Sequence, residues 1–106
     1  MVIDNLTYEV RDDYIVASLS DVRKIRRVNL YLQKYDDNRT LPIRIALSDN
    51  GVSYTQIYYG TLTSADGYMA SVDVSGEKYK YISVTVDGSS IGSWCSVTEL
   101  QVFVEE

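Results

Sequence analysis

Apolar and polar residues alternate along most of this chain with a period of two, the spacing of a strand that buries one face. The run Ile43–Leu47 displays it: Ile43, Ile45 and Leu47 share one face, Arg44 and Ala46 the other. Ser48-Asp49-Asn50-Gly51 follows, with short polar side chains that bond the backbone and a glycine free to take positive φ. Val52–Tyr59 then returns rich in Tyr, Thr, Ile and Val, so the stretch predicts a hairpin.

The same alternation predicts strands elsewhere. Val2–Val10 is the first, and Tyr14–Leu19 the second, with Ile15, Ala17 and Leu19 on one face. Val28, Leu30 and Leu32 alternate with Arg27, Asn29 and Tyr31 in the third. After the hairpin, Tyr68–Val74 turns Ala70, Val72 and Val74 one way. In Tyr79–Val86, Ile82, Val84 and Val86 point inward, with Tyr81, Ser83 and Thr85 opposite. Val97–Val104 closes the chain on Leu100, Val102 and Val104. Eight short strands predict an all-β antiparallel sandwich or jelly roll, as one domain over residues 1–106.

Between the strands lie Arg11–Asp13, a polar turn Ser20–Lys24, the loop 33–42, Gly60–Gly67, the turn Ser75–Lys78, and Gly/Ser-rich Asp87–Ser96. If every connection reverses direction, connections sort by parity onto two ends. Segments 11–13, 33–42, 60–67 and 87–96 then share one end, and 20–24, 48–52 and 75–78 the other. The first group is longer and richer in Asp, Asn, Tyr and Trp. Function favours variable loops held on a rigid scaffold, so that end is where a ligand is expected.

Composition narrows the classes. A chain of 106 residues with 45% hydrophobic content builds a core without metal or disulfide support. Its net charge of −5 argues against nucleic acid, whose binders neutralise phosphates. No apolar run approaches membrane-spanning length, and the N-terminus lacks a signal-peptide pattern. The sequence has no His, which removes the usual general base, metal ligand and triad partner. Cys95 is single and without a histidine partner, so it reads as a packed thiol rather than a nucleophile. No enzyme is expected.

With the strands laid out, the chain resembles the discoidin, or factor V/VIII type C, family and its galactose-binding-like carbohydrate-binding modules. Tyr14-Ile15-Val16-Ala17-Ser18-Leu19 is similar to the family's aromatic-Ile-x-Val-Asp-Leu-Gly strand, departing from it at Ser18 and Ser20. Ile25–Leu32 fits Ile-x-x-Val-x-Leu-Tyr, and Ile45–Tyr54 resembles the Ser-x-Asp-Gly-x-x-aromatic hairpin, with Asn50 and Tyr54 as variants. Lys80–Val86 and Val97–Phe103 resemble the Arg-Tyr-Ile-x-Val and Ser-Leu-x-Glu-Leu-x-Val-Tyr strands. The likeness covers about residues 14–104; the family's Asp-Gly-Asn-x-x-Thr-x-Trp segment and terminal cysteine pair have no counterpart.

The resemblance implies a non-catalytic module that binds a cell-surface carbohydrate. Trp94 lies in the loop that carries sugar contacts in related modules, and it reads either as a stacking platform or as a plug for the end of the sandwich. Tyr35, Asp37, Asn38 and Arg39 supply acceptors and forked donors that could grip vicinal hydroxyls, or simply form a solvated loop tip. Asp66 and Tyr68 could add to that rim, or simply serve their own turn. Glu99 matches the family's acidic position near a calcium site; six aspartates at that end match no ligand spacing, so calcium is open and no cofactor is required.

The expected partner is a glycan or glycoprotein met outside the cell, at a cell surface or on a virion. The competing expectation is a structural or protein-interaction domain, self-associating or not, in an assembly such as a phage tail or surface fibre. Membrane insertion would need apolar spikes, and only Ile91 and Trp94 qualify, so it ranks third.

Overall fold

The computed structural model describes residues 1–3, 5–10, 14–34, 39–86 and 97–105. Eight strands occur among them: β1 (Val2–Ile3), β2 (Thr7–Val10), β3 (Tyr14–Leu32), β4 (Leu41–Ser48), β5 (Thr55–Leu62), β6 (Met69–Asp73), β7 (Lys78–Val86) and β8 (Val97–Val104). Every pairing is antiparallel.

Strand β3 belongs to both sheets. Its residues 14–18 pair with β2 and β7, and β4 and β5 extend that sheet in the order β2-β3-β7-β4-β5. Its residues 25–32 pair with β6 and β8, giving β6-β3-β8-β1. Nineteen straight residues would span about 60 Å. The molecule's long axis is 40 Å, so β3 must bend. Its register slips against β7 between Ser18 and Arg23, and slips again against β8 between Ile25 and Arg27. Such bulges add bend and twist to a strand.

The expected turn over Ser20–Lys24 is therefore a correction: the chain changes sheets there without leaving the strand. Arg23 and Lys24 still pair with Tyr79 and Lys78, which keeps the polar corner inside the ladder. The expected first strand Val2–Val10 is corrected too. It is two short strands on different sheets, β1 against β8 and β2 against β3.

The hairpin strand β5 starts at Thr55 rather than Val52, because the preceding amides are committed to the turn. Asn50 and Gly51 donate to Ser48 Oγ at 3.2 and 2.9 Å, while Val52 and Ser53 donate to Asn50 Oδ1 at 2.8 and 3.0 Å. At its other end β5 runs through Gly60 to Leu62, where a loop was expected, because Gly60 and Leu62 pair with Ile43 and Leu41. A Cβ at Gly60 would stand 2.5 Å from the Tyr58 hydroxyl.

The core lies between the sheets and follows the alternation. Ile15, Ala17, Leu19, Ile43, Ile45, Leu47, Ile82, Val84 and Val86 bury from one side, and Val28, Leu30, Leu32, Ala70, Val72, Leu100, Val102 and Val104 from the other. Each fully buried Leu, Ile or Val contributes roughly 1.5–3 kcal/mol. Asn29 is buried as well, and its Oδ1 accepts a bond of 2.6 Å from Ser71 Oγ across the β3–β6 pair.

Candidate functional site

Pairing decides which connections meet. Leu32 is the register partner of Val97 and Ile43 that of Val86, so segments 33–42 and 87–96 leave the sandwich from neighbouring positions. Leu41 pairs with Leu62 and Tyr31 with Met69, which brings segment 63–68 to the same pole. Tyr14 pairs with Thr85, so β3 also begins at this pole. At the opposite pole lie the corner of β3, the Ser48–Tyr54 turn and the 74–77 connection, where Ile25 donates to the Glu77 carbonyl at 3.1 Å.

At the long-loop pole the described residues are tied together by Tyr68, which is 1% exposed. Its hydroxyl donates to the Arg39 carbonyl at 2.8 Å, and its own carbonyl accepts from the Leu32 amide at 2.9 Å. Tyr68 holds φ at 56°, a left-handed conformation uncommon for a bulky side chain. The turn before it fixes that geometry. Thr63 caps a short 3-10 helix, Ser64–Asp66, and Asp66 Oδ1 accepts from the amides of Thr63 and Tyr68, both at 3.0 Å.

These contacts locate two of the residues singled out in the sequence. Arg39 is half-buried and offers its carbonyl to Tyr68, while Asp66 spends Oδ1 on its own turn. The expectation that Tyr68 sits on the rim is corrected: its ring fills the space beneath, because the left-handed backbone turns it inward. Trp94, Tyr35, Asp37 and Asn38 lie outside the described residues, as does Cys95. Glu99 is exposed on β8 opposite Tyr31, and among the described residues no three His, Cys, Asp or Glu side chains group as metal ligands.

A second concave surface lies on the outer face of the five-stranded sheet. It is a cleft of about 430 Å³ lined by Tyr14, Val16 and Ser18 of β3, Tyr81 and Ser83 of β7, Glu9 of β2, and Asn50, Gly51 and Tyr54 of the hairpin turn. Register explains the gathering. Val16 pairs with both Glu9 and Ser83, and Ser18 pairs with Tyr81, so side chains far apart in sequence share one face. Gly51, at φ 78°, lets the turn approach the Tyr81 ring; a Cβ there would stand 3.4 Å from it. Lys80 Nζ lies 5.6 Å from the centroid of the same ring. The Tyr54 hydroxyl titrates above its ordinary value of 10.0, because burial disfavours the phenolate and because Tyr81, Glu9 and Tyr14 oppose its charge.

No family model and no curated protein matches the sequence. Solved structures do. The CBM32 module of AlyQ in complex with 4,5-unsaturated mannuronic acid superposes with a TM-score of 0.70 at 25% identity, over 96% of this chain and 74% of that one. A truncated AlyQ with CBM32 and alginate lyase domains gives 0.72 at 26% identity, over 99% of this chain and 26% of the longer one. A pectin-binding carbohydrate-binding module gives 0.73 at 16% identity, over 99% and 71%. This chain has the discoidin-like, galactose-binding-like jelly-roll fold. The carbohydrate-binding modules that share this discoidin-like fold are non-catalytic units, some of them carried in enzyme chains. Among the described residues no helix is long and apolar enough to cross a membrane.

The sequence did carry a signal for the cleft. Tyr14, Val16, Tyr81, Ser83 and Thr85 all occupy the non-core phase of period-two runs. Nothing local said that these runs are adjacent, or that the Asn50–Tyr54 turn borders them.

Proposed function

We propose that this chain is a non-catalytic carbohydrate-binding module that takes a cell-surface glycan at the long-loop pole. Trp94 is the stacking surface, Asp37, Asn38, Arg39 and Tyr35 are the polar contacts, and Asp66 shapes the rim. The observation that carries this reading is the double pairing Leu32 with Val97 and Ile43 with Val86, which starts the two richest loops side by side. The likeness to a module bound to an unsaturated uronic acid gives the ligand class. Sugar C–H groups pack on an aromatic face while hydroxyls bond outward to amides, carboxylates and guanidinium groups. The glycan is met outside the cell. One shallow site binds weakly, so linkage to further modules or to an enzyme multiplies the effective affinity.

A glycan array run with wild type, Trp94→Ala and Arg39→Ala tests the proposal. A specific signal that falls in both variants, with melting temperatures unchanged, supports it. A blank array at high protein concentration, with a stable dimer or trimer by light scattering, overturns it in favour of a structural domain in an assembly.

A further inference from the structure

The Tyr14–Tyr54–Tyr81 cleft runs along the outer sheet face from Tyr14, beside Thr85 at the long-loop end of β7, to the Asn50–Tyr54 turn at the other pole. Its volume of about 430 Å³ falls within the roughly 300–1,000 Å³ of small-molecule sites. Three tyrosines from three separate elements reach it, with hydroxyls from Ser18 and Ser83 between them. Tyr14 and Tyr81 come from neighbouring strands at the centre of the sheet, and Tyr54 from the turn. The turn is rigidly built, since Ser48 Oγ and Asn50 Oδ1 each accept two backbone amides within 3.2 Å. The walls are therefore formed before any ligand arrives, which lowers the ordering cost of binding.

We infer that this cleft is a second saccharide site, formed by the Tyr14, Tyr54 and Tyr81 rings with the Ser18 and Ser83 hydroxyls. Aromatic walls supply ring faces for C–H packing, and the phenolic, seryl and amide groups supply the directional bonds that hydroxyl-rich ligands need. The location follows from geometry alone, whereas the choice of a sugar rests on the carbohydrate-binding reading of the fold.

Amide chemical-shift titration of the full chain tests this. The probes are cello-, xylo-, manno- and galacto-oligosaccharides beside oligomers of mannuronate and galacturonate. One of these oligosaccharides should shift the amides of Asn50, Gly51, Tyr54 and Ser83. Tyr54→Ala, at a residue already 37% exposed, should keep its melting temperature and bind that oligosaccharide about tenfold more weakly. Shifts confined to Leu32, Arg39 and Val97 would sink the second site and leave the proposed function standing. No shift with any probe would sink both.

Discussion

Two connections of this sandwich, the hairpin turn at one pole and the Tyr68 segment at the other, are held by different kinds of bond. At the short-turn pole the hairpin is closed by contacts two or three residues apart, Ser48 and Asn50 accepting the amides of residues 50–53. At the long-loop pole the ties span the chain: Tyr68 reaches Arg39, 29 residues away, and accepts from Leu32. Local closure loses little chain entropy and depends on few neighbours. Long-range closure depends on a buried ring that several segments share. A binding surface at the first pole is consequently preorganised by its own turn, and one at the second is only as well placed as Tyr68 keeps it.

The sharpest way to break that contrast is Tyr68→Ala. Truncating a fully buried aromatic costs about 3–5 kcal/mol, and urea unfolding should show it. Tyr68→Phe should lose only about 1 kcal/mol, the bond to the Arg39 carbonyl. A Tyr68→Ala protein as stable as wild type would mean that the ring does not hold the pole together. At the other pole Gly51→Ala should cost about 1–2 kcal/mol, because a Cβ is strained at φ 78° and presses toward Tyr81. That loss should stay local, weakening cleft binding while leaving amide exchange near Leu32 and Val97 unchanged. Spread of the effect to those amides would erase the distinction.

The smallest effect is on pH dependence. Tyr54 and Tyr79 both border the short-turn pole and both titrate above 10.0. For Tyr79 the first cause is burial, joined by the bond its hydroxyl donates to Glu77 Oε2 at 3.1 Å. A phenol whose folded value is raised stays protonated longer in the native state. Its contribution is intact below pH 10 and is lost as pH climbs through the folded value. Melting temperature should be flat from pH 8 to about pH 9.5 on this account and then decline, less steeply in Tyr79→Phe. An equal decline in the variant would assign the titration to other groups.

Much of the fold was readable from residue order. The inward phase of Ile43–Leu47, Ile82–Val86 and Leu100–Val104 matches the buried set, and Ser48–Gly51 is the turn its chemistry predicts. Two misreadings share a cause. Ser20–Lys24 has the polarity of a turn, yet its amides stay with a partner strand; Val2–Val10 has the polarity of one strand, yet its halves serve different sheets. Polarity reports exposure to water, and a bent edge or corner is exposed whether or not the ladder continues. Asp66 shows a related limit: an acidic side chain in a loop looks the same in sequence whether it awaits a ligand or caps its own turn, and here Oδ1 accepts two amides of that turn.

Strand phase, core membership and the hairpin turn were therefore decided by the sequence itself, because each depends on neighbours within a few residues. The inward Tyr68 plug and the gathering of Glu9, Val16, Ser83 and Tyr54 around one cleft were decided only by tertiary structure. Register between distant strands is chosen by the packing of the whole core, and a slip of one residue would send every one of those side chains to the other face.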